Sequence, residues 1–167
     1  MFTEMILPEF DQETAITRRM LERVPNDLLD WRPHAKSNTI GWNANHLAEI
    51  PGWVENVLTE PFFDMNPPGG PAFESPKLGS RDEILAEFDR NVAQARAAIE
   101  NFKDESINET WSLMDNGQPL FTMTRGAVMR MLVLSHLIHH RAILSVYYRL
   151  NDIPVPAIYG PSADEAE

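Results

Sequence analysis

Apolar residues recur at helical spacing over much of this chain and alternate along one short stretch. Phe10, Ile16, Met20, Leu21 and Val24 fall near one face of a helix from about Pro8 to about Val24, with Pro8 suited to a first turn and Pro25 as its stop. Ser37 or Thr39 can cap a second helix reaching about Leu58, and Pro51 predicts a kink in it because proline has no N–H for the Leu47 carbonyl. A third helix begins after Ser80, with Glu83 placed for a capping box, and carries Ile84, Leu85, Phe88, Val92, Ala95 and Ile99 inward to about Phe102. Between Trp111 and Thr124 apolar residues alternate around Asn116-Gly117, the dipeptide of two-residue hairpin turns. The fourth and longest helix covers about Arg125 to Leu150.

The connections shape the topology. The segment from Asn26 to Asn38 holds Trp31, Pro33 and His34, and the segment from Thr59 to Ser80 is rich in proline and glycine, including Pro67, Pro68, Gly69, Gly70 and Pro71. Four helices with long connections predict an all-α four-helix bundle with crossover loops, and the short hairpin falls just before the last helix. The expected organisation is one domain over residues 1–167, in which 151–167 forms an extended arm: Pro154, Pro156 and Pro161 oppose a helix there, and three acids end it.

Facing directions bring in the chemistry. On a wheel of about 100° per residue, His136 and His140 lie within roughly 60° of Met129, Leu132, Val133, Ile143, Tyr147 and Leu150. Arg130, Arg141 and Arg149 fall on the far side and set the solvent-facing direction. In the second helix His46 lies within about 40° of Trp42, Ile50, Trp53 and Val57. Three inward imidazoles need partners, since each buried ring nitrogen left without one costs about 1–3 kcal/mol. Carbonyls or tyrosines would satisfy them singly. A divalent metal ion would satisfy them jointly, because residues four apart on a helix come within about 6 Å and a third ligand from a facing helix completes a tripod. Three neutral imidazoles suit zinc, nickel, copper or iron(II) rather than magnesium or calcium, and leave an open position for water or substrate.

His139 borders the inner face, where it is a candidate proton shuttle or a surface residue, and His34 belongs to a connection. Glu49, three residues after His46, is placed to orient a ligand ring or accept a proton, unless it is a solvated carboxylate. Two other metal motifs are excluded. Leu137 stands where a zincin needs glutamate, and no glutamate stands three residues before His46, His136 or His140 as a di-iron bundle requires.

Composition narrows the partners. The 167 residues include no cysteine, which removes disulfides, thiolate ligands and a cysteine nucleophile. With 14 basic and 25 acidic side chains the formal charge is −11, which repels nucleic-acid backbones. Met1 to Pro8 lacks the pattern of a signal peptide and no apolar run is long enough to span a bilayer, so a cytoplasmic location without membrane contact is expected. Met131, Leu134 and Ile138 lie opposite the histidines and predict a second covered face, as in a homodimer.

Asn45-His46-Leu47-Ala48-Glu49, His136-Leu137-Ile138-His139-His140-Arg141 and the late Tyr159-Gly160-Pro161-Ser162 resemble the DinB/YfiT-like family of small metal-binding four-helix bundles, in that order and over essentially the whole chain. The resemblance implies a three-histidine site at His46, His136 and His140, nickel or zinc as the ion, and a homodimer. It implies a metal-dependent enzyme acting on a small molecule. One branch is thiol-dependent, as in bacillithiol S-transferases and mycothiol-dependent maleylpyruvate isomerase, which makes a low-molecular-weight thiol the expected cosubstrate of a transferase. Another branch is hydrolytic, and a third reading is a non-catalytic metal-binding bundle. The chain departs from the family at His140-Arg141-Ala142-Ile143, where relatives commonly continue His-Arg-Gly-Gln, so a polar glutamine role is missing here.

Overall fold

In a computed structural model, which describes residues 1–165, helix α1 spans Phe2–Leu21, α2 Ile40–Glu49, α3 Trp53–Thr59 and α4 Arg81–Glu100. Strands β1 (Phe62–Asp64), β2 (Thr110–Asp115) and β3 (Gln118–Thr124) form one sheet in that order. The last helical run is α5 (Arg125–Val128), a π-helical stretch from Met129 to Ser135, and α6 (His136–Arg149). Helices α1 and α2 each pack against α4 and α6, which makes the bundle. Its core is built from residues such as Phe10, Met20, Leu47, Ile84, Phe88, Val133 and Leu144.

The bundle agrees with the sequence reading, while the sheet makes a purely all-α description too narrow. The hairpin forms as the pattern predicts: Asn116 and Gly117 both adopt positive φ, 50° and 73°, as a two-residue turn of this hand requires. Strand β1 was not expected within the Pro-rich crossover. Only three residues long, it pairs in parallel with β2 from Phe62 opposite Ser112 to Asp64 opposite Met114. Asp64 then ties strand to turn, because its Oδ2 accepts the Gly117 N–H at 2.8 Å.

Four further expectations are corrected. Helix α1 starts at Phe2 rather than Pro8, because distant groups hold the extra turns: Asp104 Oδ1 accepts the Thr3 backbone N–H at 3.0 Å, and Phe2 meets Phe102 edge-on. Arg141, placed on the solvent side by the wheel, is 1 % exposed. Its guanidinium donates to Glu13 Oε2 at 2.6 Å and to the Glu13 carbonyl at 3.0 Å, because α6 is covered by α1 as well as α2 and buries a wider arc than one stripe. Leu134 is likewise buried inside the chain and Leu150 is exposed, whereas Met131 remains 40 % exposed. A uniform 100° wheel fails across Met129–Ser135, where the helix widens.

The kink predicted at Pro51 takes the form of a 3₁₀ turn over Ile50–Gly52, which separates α2 from α3, and Asn91 Nδ2 donates to the Ala48 carbonyl at 2.8 Å in the turn before the proline. Beyond Leu150 no helix forms through Glu165. The segment 151–165 is held against the bundle by Arg149 with Asp164 and by the Tyr159 hydroxyl, which lies 2.9 Å from both Glu13 carboxylate oxygens. Of the acids at the chain's end, Glu167 lies outside the described residues. No helix among the described residues is long and apolar enough to cross a membrane.

Candidate metal centre

Helix α2 delivers His46 and α6 delivers His136 and His140 to one point. Thr39 begins α2 by accepting the Trp42 N–H on its Oγ1 at 3.0 Å, which fixes the phase of the helix three turns from its end. His136 Nε2 lies 3.2 Å from His46 Nε2 and 2.9 Å from His140 Nε2, and the three ligand atoms fall within 4.8 Å of one another. Indole rings flank the cluster. Trp42 stacks on His46 at 4.7 Å between centroids, and Trp53, turned inward by the break at Pro51, packs against both His46 and His136.

Neighbouring groups decide which nitrogens face the centre. Asn43 Nδ2 donates to the Thr39 carbonyl at 2.8 Å, so Asn43 Oδ1 is the atom 3.0 Å from His140 Nδ1 and must accept its proton. His140 Nε2 therefore presents a lone pair inward. Glu49 Oε2 lies 3.6 Å from His46 Nδ1, beyond hydrogen-bond distance, and is buried without a hydrogen-bond partner, while Glu49 Oε1 accepts the Trp53 indole N–H at 3.2 Å. Burial alone would raise the Glu49 carboxyl, but the polar groups of His46, Ser75 and Trp53 outweigh it and hold the carboxyl below its ordinary value. Burial first, then the neighbouring imidazoles, depresses His140 to about 3, and His136 moves in the same direction. His136 and His140 are thus kept neutral, the state in which imidazole binds a metal.

Hydrogen bonding within the trio cannot satisfy it. His140 Nε2 aims a lone pair at His136 Nε2, which carries at most one proton and so cannot pair well with both His140 and His46. His136 Nδ1 is also buried without a hydrogen-bond partner. A cation between the three nitrogens removes the conflict, and tetrahedral zinc with bonds of about 2.0–2.1 Å would hold its ligand atoms about 3.3 Å apart, near the two separations measured from His136 Nε2. The residues therefore fit a transition-metal ion. The three-histidine group predicted from sequence is brought together.

The other candidates divide. Glu49 joins the cluster as a neighbour of His46. His139 is exposed, with its ring centroid 4.9 Å from that of His140, and is not one of the converging ligands. His34 is exposed in its connection, where its Nδ1 accepts the Lys36 N–H. Asn43 was missed, although an amide three residues before His46 on an inward face was itself a signal, since a buried amide needs partners.

Two cavities adjoin the cluster. One of about 250 Å³ is lined by Trp42, Asn45, His46, Glu49 and the crossover residues Glu74 to Lys77. The other, of about 310 Å³, is lined by His136, Trp53 and apolar residues of the sheet and crossover. A larger cleft of about 510 Å³ beside Glu55 and Gln94 includes none of the three histidines.

Comparison with known proteins places the fold. A DinB-like protein from Bacillus subtilis superposes with a TM-score of 0.69 at 18 % identity, over 94 % of this chain and 99 % of that one. A DinB-like protein from Bacillus cereus gives 0.68 at 19 % identity, over 92 % of this chain and 95 % of that one. At such identities the likeness is one of fold. No curated protein matches the sequence. The family model described as the DinB superfamily matches residues 9–144, the span that holds all three converging histidines, and the chain is a member of that superfamily.

Proposed function

We propose that the protein is a metal-dependent S-transferase that joins a small thiol to a small electrophile at a zinc or nickel ion held by His46, His136 and His140. The observation that carries this reading is the pair of separate cavities meeting the cluster, one at His46 whose walls include charged residues and one at His136 whose walls include none. Two substrates have two approaches. A bound ion supplies Lewis acidity, which favours the thiolate of a small thiol or, for a hydrolase, the hydroxide of a water.

The chain's own residues do the rest. Asn43 fixes the tautomer of His140, the Glu49 carboxylate lies beside His46, and Trp42 and Trp53 pack against the imidazole rings. Lys77 stands with Glu49 and Glu74 on the wall of the cavity at His46, which gives that wall charges of both signs. Glu49 acts as a positioning residue rather than a base, because a carboxyl with a lowered pKa is a poor proton acceptor. His139, exposed beside His140, passes the thiol proton to solvent. The sulfur lone pair forms the new bond to carbon, and the leaving group departs with the electron pair of the bond that breaks.

Untagged protein is expected to contain about one equivalent of zinc or nickel by elemental analysis, and His136→Ala and His140→Ala to contain almost none. Loaded protein should turn over an alkylating electrophile only when bacillithiol, mycothiol or glutathione is present. Turnover of amides or esters without thiol would overturn the transferase reading in favour of hydrolysis, and full metal with no thiol turnover would overturn it outright.

A further inference from the structure

The cavity against His136 differs from the other spaces around the cluster in what its walls lack. Trp53 and Val57 of α3, Phe63 of β1, Leu113 of β2, Leu132 of the π-helical stretch and Phe73 of the crossover surround it, and no lysine, arginine, aspartate or glutamate lines it. Its tryptophan N–H groups are already committed: Trp53 donates to Glu49 at 3.2 Å and Trp111 donates to Asn56 Oδ1 at 3.0 Å. Because an indole N–H can only donate, the second bond fixes the Asn56 amide with its oxygen toward Trp111. Asn56 Nδ2 then remains as a donor on the wall, without a hydrogen-bond partner among the described residues.

Water gains little in such a space, since a stable buried water needs two to four polar partners. An apolar group entering it releases that water and meets aromatic surface on several sides. A volume of about 310 Å³ is at the small end for ligand pockets, room for one ring or a branched aliphatic chain with a reactive head. His136 is the wall residue that also belongs to the metal cluster, so a molecule filling the cavity has one end at the cluster.

We infer that this cavity is the subsite for the electrophilic substrate and that it selects an uncharged aromatic or branched aliphatic body, with the reactive carbon at the His136 end and a polar substituent accepting from Asn56. The inference rests on the metal-centre reading above and adds the class of substrate. It also assigns a purpose to β1 and the hairpin, which wall the cavity on the side away from the bundle core.

Acetohydroxamate and benzohydroxamate share a metal-chelating head and differ in an apolar body, so their binding to zinc-loaded protein by calorimetry separates the subsite from the metal. Benzohydroxamate is expected to bind at least tenfold more tightly, about 1.4 kcal/mol. Leu113→Trp, which fills the cavity, should reduce that preference below threefold with zinc content and acetohydroxamate affinity unchanged. Phe73→Ala, at a position 45 % exposed and safe for folding, should weaken benzohydroxamate alone by threefold or more and carries the test if the tryptophan variant does not fold. Equal affinity of the two hydroxamates for the parent protein, with zinc bound, would overturn the subsite and leave the metal centre standing. Absence of zinc, or of binding by either hydroxamate, would overturn the metal centre and the subsite with it.

Discussion

Asn43 sets the chemical identity of a ring on another helix. Because its amide is pinned by the Thr39 carbonyl, it accepts the Nδ1 proton of His140 and turns the Nε2 lone pair inward. Asn43→Leu should therefore weaken metal binding about 10–100-fold, read by competition with a chelator, while Asn43→Asp, which still accepts, should retain it. Protonation has a defined sign at the same residue. The unfolded chain takes up a proton on this histidine near 6.5, and the folded chain only near 3. Between those values the unfolded state binds more protons, so the metal-free fold loses stability as pH falls from about 6.5 toward 3. Thermal unfolding in the presence of chelator should show the midpoint falling over this window, and His140→Gln should flatten the fall. The triad itself was legible because helical spacing and neighbouring tryptophans placed all three rings inward. Arg141 was not, because a charge reads as a solvent marker until its partner, here Glu13 at the far end of the sequence, is known.

At the scale of elements, the break between α2 and α3 positions the site. Pro51 ends the hydrogen-bond ladder, the 3₁₀ turn redirects the chain, and Trp53 arrives against His46 and His136. Asn91, buried on α4, completes the break by donating to the Ala48 carbonyl. Asn91→Ala should cost about 1–3 kcal/mol in urea unfolding, because it leaves that carbonyl unpaired and opens space beside Gly52, whose Cα region lies against the Asn91 side chain. Proline and the Asn116-Gly117 pair act through their own backbone, which is why the kink and the hairpin could be read directly. Strand β1 depends on β2 some fifty positions away, and the π-helical stretch runs through residues ordinary for an α-helix, with Met129, Val133 and Leu134 buried. Neither leaves a local mark in three or seven residues.

For the molecule as a whole, the sheet and crossover cover one side of the bundle and the C-terminal arm covers another. The arm is fastened by Tyr159, whose hydroxyl meets Glu13 at 2.9 Å and receives an N–H from Arg141 at 2.6 Å. Buried pairs are costly to break singly, so Glu13→Ala should destabilise the fold by about 3–5 kcal/mol in chemical unfolding. Tyr159→Phe, which removes only the hydroxyl, should cost about 1 kcal/mol. Glu13 belongs to the first helix, Arg141 follows directly after a candidate ligand, and Tyr159 closes over both. Beginning, site and end of the chain are thereby spliced at one polar knot. A protease nick between Leu150 and Tyr159 would be felt next to His140, so the integrity of a peripheral strap becomes a condition for the centre it never touches.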